Sequence, residues 1–335
     1  MRRSAVLVFL AVAAPRAPGP QPGPTLAVRA PGGWETWWRA DEAPARWAAP
    51  LPAVAGRVRW RRAARGLEWG EFSLAGAGEA SRLRVIVVRL EPRALAFRLI
   101  KPADEPGLAG RWDIGQAPPG AVLALNAGQF LDQPWGWLVQ DGVERQPPGR
   151  GPLAPAVVLD TSGAVRLVPP DSLEDARAGA RHAFQSYPTL LEGDGEIPHA
   201  LREAGSGVNL THRDARLALG ELRDGRILVA MTRFEGLGGM LANLPFGLTT
   251  PEMAAVMGAL GARRAVLLDG GISSQLLIKD GDVTRRWPGW RRVALGLVAF
   301  PISRRAAASR TTPAARPWPL RAAPAAAPAG SLPPD

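Results

Sequence analysis

An acid, two glycines and two hydroxyls stand together in Val266-Leu267-Leu268-Asp269-Gly270-Gly271-Ile272-Ser273-Ser274, with apolar residues on both sides. A buried strand ending in such a cluster delivers a carboxylate that can act as base or acceptor, and hydroxyls that can donate to sugar or phosphate oxygens. Gly270 and Gly271 lack a Cβ, so a ligand can come close to the main chain there. The competing account is a plain hairpin turn, because Asp-Gly between apolar runs is a common turn signal. The chain repeats that dipeptide at Asp141-Gly142, Asp224-Gly225 and Asp280-Gly281, each time without the hydroxyl pair. A nucleophile elbow fits Gly271-Ile272-Ser273-Ser274-Gln275 poorly: the closing glycine is missing and no triad histidine is evident.

Other segments carry polar groups at strand ends. In Leu125-Asn126-Ala127-Gly128 an amide can bond a sugar hydroxyl as donor and acceptor, or simply make an Asn turn. Ser186 precedes Tyr187, the only tyrosine, and Asp194 reads as a turn residue in Glu192-Gly193-Asp194-Gly195. Arg216 opens the apolar run Leu217-Ala218-Leu219, where a guanidinium can grip a phosphate or carboxylate through two parallel bonds. Alone, such an arginine also suits a solvated surface. Glu252 stands three residues after Thr249, the spacing of a capping box, which explains it without catalysis.

The elements that must position these residues are mostly strands. Leu83–Leu90 and Ala94–Leu99 read as strands joined at Glu91-Pro92-Arg93, and Ala121–Leu125 as a strand ending at Asn126. Trp137–Val139, Ala156–Leu159 and Val165–Val168 continue the pattern, and Leu217–Gly220 with Arg226–Met231 reads as a hairpin. One helix is marked: Thr249 as cap, Pro251 early, then Met253, Val256, Met257 and Leu260 at helical spacing, closed by Gly261. The strand Ala265–Leu268 follows at once. The expected fold is α+β, a single mixed-sheet, strand-rich domain with packed helices and its motifs converging on one cleft. The domain is expected over residues 57–302, after a signal-like segment (1–23) and a Pro/Ala/Trp-rich linker (24–56), and before a disordered Ala/Pro-rich tail (303–335).

Composition narrows the chemistry. With 335 residues, of which 46% are hydrophobic, the chain can bury a sizeable core. Its formal charge is +11, carried almost wholly by arginines spread along the chain rather than clustered with aromatics. That spread argues against nucleic acid and suits an acidic or phosphorylated glycan. Having no cysteine excludes disulfides, thiolate metal sites and a Cys nucleophile together. The three histidines, His182, His199 and His212, lack metal-ligand spacing.

In order along the chain, Leu125-Asn126-Ala127-Gly128-x-Phe130, Ser186-x-Pro188, Arg216-x-Ala218-x-Gly220, Leu248-Thr249-x-Pro251-Glu252-x-Ala254 and Leu268-Asp269-Gly270-Gly271-x-Ser273-Ser274 resemble the phosphodiester glycosidase domain family. Arg292-Val293-Ala294 fits as well. The chain departs from that pattern at Ile272, where a third glycine is usual and a side chain narrows the approach to the backbone, and also at Gln129 and Leu217. The resemblance implies a mixed fold and hydrolysis of a sugar from a sugar-1-phosphodiester or a related envelope or exopolysaccharide glycan. It also implies Asp269 and Arg216 as catalytic residues. Substrate contacts would come from Asn126, Gly128, Ser186, Gly270, Gly271, Ser273, Ser274 and Arg292. No cofactor is required; a divalent cation such as calcium is compatible, though no ligand cluster demands it. The alternative is a non-catalytic envelope glycan-binding protein on the same scaffold.

Met1-Arg2-Arg3 followed by the apolar run Ala5–Ala14 reads as a secretory signal, too short to span a bilayer. Export to the periplasm, the envelope or the medium is therefore expected. N-terminal sequencing of protein from its native host should find a start beyond that run; soluble cytoplasmic protein retaining Arg2 and Arg3 would contradict it.

Overall fold

The strand Leu83–Leu90 reads Leu-Arg-Val-Ile-Val-Val-Arg-Leu, an apolar run whose side chains must leave on opposite faces in turn. In the computed structural model, which describes residues 24–104, 108, 110–130, 132–235, 244 and 246–302, both faces are covered. Val85 and Val87 enter one core with Met253, Val256 and Met257. Ile86 and Val88 enter a second core with Leu123, Leu125, Leu276 and Leu297. A strand buried on both faces has no polar alternation to show, which is why the run is continuous.

That strand lies in a nine-stranded sheet. From one edge its order is Thr189–Leu191, Ala262–Leu267, Leu217–Leu222, Ile227–Phe234, Leu83–Leu90, Leu67–Ala75, Thr25–Ala30 and Gly33–Arg39, with Arg61–Ala64 also on Leu67–Ala75. The described pairings are antiparallel, and Leu83–Leu90 meets Ile227–Phe234 in unbroken register from Leu90↔Ile227 to Leu83↔Phe234. Two five-stranded sheets complete the fold. One holds Val165–Val168, Ala156–Asp160, Ala180–Gln185, Leu138–Gln140 and Val143–Gln146; the other holds Val283–Trp287, Leu276–Asp280, Leu123–Asn126, Gly296–Pro301 and Leu95–Ile100. This is the expected strand-rich α+β fold.

Four of the five Asp-Gly dipeptides divide into two kinds. Asp141-Gly142, Asp224-Gly225 and Asp280-Gly281 each close a hairpin between paired strands. Asp269-Gly270 does not: it carries the chain from Ala262–Leu267 in the large sheet to Leu276–Asp280 in another sheet. Glu91-Pro92-Arg93 likewise passes between sheets, since Leu95–Ile100 pairs with Gly296–Pro301 rather than with Leu83–Leu90.

The helix Thr250–Ala259 has the expected capping box, with Thr249 accepting from Glu252 N–H and the Glu252 side chain returning to Thr249 N–H. Every residue of it but Pro251 is buried, not one stripe only. Its small positions explain this: a Cβ on Gly258 would stand 2.2 Å from the Trp47 ring, so the indole lies directly on the helix backbone.

Trp47 belongs to the stretch 24–56 expected to be a linker, and that expectation is corrected. Val28 pairs with Leu74 of the large sheet, and Leu26 and Val28 are fully buried. Two short strands among prolines and tryptophans offer too little periodicity to be read as structure. The signal-like segment 1–23 and the tail 303–335 lie outside the described residues. Among the described residues, no helix is long and apolar enough to cross a membrane.

Trp47→Ala should lower the unfolding free energy by about 3–5 kcal/mol, the usual cost of emptying a core tryptophan site, as read by chemical denaturation. An unchanged midpoint would return residues 24–56 to the status of a linker.

Candidate active site

Antiparallel pairing brings distant residues to one end of the large sheet. Ala218 pairs with Leu267, so Arg216, just before one strand, sits beside Asp269, just after its neighbour. Thr189 pairs with Val266 on the other side, which brings Tyr187 and Pro188 to the same end. The result is a cleft of about 580 Å³ whose lining includes Asp269, Gly270, Arg216, Asp214, Tyr187 and Thr250.

Backbone and amide bonds hold the Asp269 turn from several sides. Asn126 Nδ2 donates to Asp269 O at 2.8 Å, and its Oδ1 accepts from Gln275 N–H at 3.0 Å. Asp269 N–H donates to Gly128 O at 3.0 Å, while Leu268 and Gly271 N–H donate to Leu217 O and Ala215 O, both at 2.8 Å. Gly128 has φ +67°, a left-handed conformation suited to glycine, and a Cβ there would press to 3.0 Å from Gln185 O.

Within this frame Asp269 keeps an unmet acceptor. Its Oδ2 is buried with no hydrogen-bond partner among the described residues. Leaving such an oxygen unpaired costs about 1–3 kcal/mol, a cost native folds carry where function explains it. Burial pushes the Asp269 carboxyl above its ordinary range. A Ser273 hydrogen bond and the Arg291 charge pull it back, the Asp214 charge pushes it further up, and Gly270 N–H opposes. Arg216 is held rigidly, Nε donating to Leu248 O at 2.8 Å and Nη2 to His212 O at 2.7 Å. Neither bond uses Nη1, which leaves it for the cleft. Burial lowers the Arg216 pKa, against the raising effect of Asp214 and Glu252, and a guanidinium remains charged regardless.

The other expected site residues are placed differently from one another. Asn126 is buried with both amide ends spent on backbone, so it is a clamp and not a sugar ligand. Ser186 is buried, its hydroxyl donating to Leu267 O. Ser273 is buried behind Asp269, and Ser274 is fully buried with no partner for its hydroxyl among the described residues. Gly270 lines the cleft whereas Gly271 does not, and the side on which each would carry a Cβ is taken by protein. A Cβ on Gly270 would meet Ala215 O at 2.7 Å, and one on Gly271 would meet Asp214 Oδ2 at 2.7 Å. Ile272 is outside the cleft lining and its side chain is exposed, so the expected narrowing does not fall on the cleft. Arg292 is outside the cleft lining and donates to Asp113 at 2.9 Å. The cation whose charge reaches Asp269 is its neighbour Arg291. Glu252, fully buried, is gripped by Arg213 at 2.6 and 2.7 Å and closes the helix cap.

A sequence model of the phosphodiester glycosidase family matches residues 119–300, more than half of the chain. The chain belongs to the phosphodiester glycosidase family. That family consists of hydrolases acting on glycosyl bonds, and the chain is an enzyme of this class. No curated protein is matched by sequence. Two solved structures share the fold at 16% identity. The catalytic domain of zebrafish N-acetylglucosamine-1-phosphodiester alpha-N-acetylglucosaminidase, auto-inhibited by its pro-peptide, aligns with a TM-score of 0.55 over 76% of this chain and 87% of that one. A hypothetical protein from Synechocystis aligns with a TM-score of 0.50 over 80% of this chain and 65% of that one.

Beside the segments resembling the phosphodiester glycosidase family, the cleft has walls that sequence reading missed. Asp214 lies two residues before Arg216, and Trp135 and Arg150 come from irregular segments. Gln185 organises that wall: its side chain accepts from Trp137 and Gly149 N–H and donates to Gly149 O and Ala154 O. The one sequence signal was the alternation Asp214-x-Arg216 entering a strand, which puts both side chains on one face. Among the described residues, no three His, Asp or Glu side chains gather where they could hold a metal ion.

Ser273→Ala removes a hydrogen bond that favours the ionised form of Asp269, so the Asp269 carboxyl should titrate at higher pH. If turnover needs that carboxylate, the acidic limb of the kcat/KM profile shifts upward in pH. An unmoved limb would separate Ser273 from Asp269.

Proposed function

We propose that the protein hydrolyses a sugar-1-phosphodiester, releasing the sugar and a phosphate monoester, and that it does so outside the cytoplasm on an envelope or exopolysaccharide glycan. The observation that carries this reading is the juxtaposition of Asp269, with its unmet buried oxygen, and the rigid Arg216 cation in one cleft. Membership of the phosphodiester glycosidase family and the activity for which the zebrafish neighbour is named support it. The basic-then-apolar start of the chain supports the location.

The chemistry follows from the groups. A phosphate monoester takes its second proton near pKa ~6, so it departs readily without strong acid catalysis. The demand then falls on positioning, on a carboxylate at the anomeric carbon and on charge stabilisation at the leaving oxygens. Asp269 is the base that takes the proton of the attacking water. Arg216 directs its remaining N–H groups at the phosphate, pre-organised by two carbonyls so that little freedom is lost on binding. Ser273 and the Asn126 clamp act through Asp269, holding its carboxylate and its backbone.

The test is turnover of N-acetylglucosamine-1-phosphodiester, with glucose and mannose analogues, by the full chain. Asp269→Asn keeps size and removes charge, so kcat should fall by about 10²–10⁴-fold with the circular dichroism spectrum unchanged. Dialysis against EDTA should leave the wild-type rate unchanged; recovery on adding calcium would make a cation part of the site. Binding of the diesters without turnover would instead identify a glycan-binding protein.

A further inference from the structure

The cleft holds a second carboxylate to which the proposed phosphodiester cleavage gives no role. Asp214 lines it together with Asp269 and Arg216. Its Oδ1 accepts Ala215 N–H at 2.8 Å. Its carboxylate rests against the Asp-Gly-Gly turn, where Gly271 has φ +58° and a Cβ would stand 2.7 Å from Oδ2 and 2.9 Å from Oδ1. Glycine at 271 therefore makes room for Asp214 beside Asp269. His212 Nε2 lies 3.8 Å from Oδ2, and the His212 side chain is 61% exposed against 22% for Asp214. The charged groups felt at Asp214 are Arg216 and His212, which favour its anion, and Glu79, which opposes it; burial outweighs them and raises the carboxyl.

We infer that the same cleft also hydrolyses ordinary O-glycosides, with Asp214 as the acid that protonates the departing alkoxide oxygen. The inference rests on the role of Asp269 proposed above. Two carboxyl groups in one cleft, one neutral and one ionised, are what glycoside hydrolysis needs when the leaving group is a poor one. A phosphate leaves without that proton, whereas an alkoxide, as basic as hydroxide from water of pKa ~15.7, does not. In the step, the C1–O bond breaks and its electron pair stays on the glycosidic oxygen, which receives the proton of Asp214. The oxygen of water bonds to C1, and its proton passes to Asp269. The products are an alcohol and the free sugar, with Asp214 ionised and Asp269 neutral. The exposed His212 returns a proton to Asp214 from solvent.

The experiment compares three leaving groups on one sugar, for N-acetylglucosamine, glucose, galactose and mannose in turn: the methyl glycoside, the 4-nitrophenyl glycoside and the sugar-1-(methyl phosphate) diester. Wild-type protein should turn over the glycosides as well as the diester. Asp214→Asn should lower kcat/KM for the methyl glycoside by about 10²–10⁴-fold, but for the nitrophenyl glycoside and the diester by less than about 10-fold. Asp214→Glu should restore part of the methyl glycoside rate and its basic pH limb, which a purely structural role would not. Equal losses on all three substrates, or turnover of the diester with none of any glycoside, overturns the inference while leaving the phosphodiester reading intact. Glycoside turnover without diester turnover overturns the phosphodiester reading and retains the role of Asp214. Should Asp214→Asn fail to fold, Asp214→Glu and the wild-type leaving-group series decide: a wild type that turns over the nitrophenyl glycoside but not the methyl glycoside overturns the inference.

Discussion

The Asn126 side chain ties the molecule together where chemistry is possible. Its one carboxamide takes the carbonyl of Asp269 and the N–H of Gln275, spanning the turn that joins two sheets. Asn126 and Gln275 are buried, so loss of the bond between them would leave a polar atom without water or partner, at about 1–3 kcal/mol. Everything else at the cleft leans on that clamp. Gly128 accepts from Asp269, Ala215 accepts from Gly271, and the Asp214 carboxylate fills the space that Gly271 leaves. Arg233, buried with a pKa lowered to about 10 by desolvation, spends Nη2 on the carbonyls of Ser274, Trp287 and Pro288 behind the same turn.

Charge is sorted between structure and cleft by the same frame. Glu252 is fully buried, but Arg213 and the helix cap use both of its oxygens, so it has nothing to offer a ligand. Asp269 and Asp214 are less enclosed and less satisfied, and burial pushes both toward the neutral form. Arg216 counters Asp214 as a cation whose hydrogen bonds go to the carbonyls of Leu248 and His212 rather than to carboxylates. Many of the remaining arginines pair with acids at the surface, where such bridges contribute little.

Fold class was legible because apolar strand runs and the Thr249 cap are local signals. Leu83–Leu90 and Thr250–Ala259 follow from their own residues. Residues 24–56 were not legible, because burial of Leu26, Val28 and Trp47 depends on a sheet edge and a helix that lie far away in sequence. The Asp-Gly dipeptides show the same limit: four of the five give three hairpins and one crossing between sheets, and strand pairing decides which is which.

The sequence by itself determined which residues carry usable chemistry at this site: an acid before two glycines, an arginine opening a strand, an amide closing another. It also determined family membership, since the ordered motifs need no coordinates. Only the tertiary structure decided what each group does. Antiparallel registry between Leu217–Leu222 and Ala262–Leu267 makes Arg216 and Asp269 neighbours, and brings Asp214 in with them. Close backbone packing turns Asn126, Gly128 and Gly271 from ligand contacts into supports. It also pairs Arg292, expected as a substrate contact, with Asp113, and puts the Arg291 charge within reach of Asp269. Side-chain type is a property of the chain, whereas the freedom of a polar atom to meet a ligand depends on which distant backbone has already claimed it.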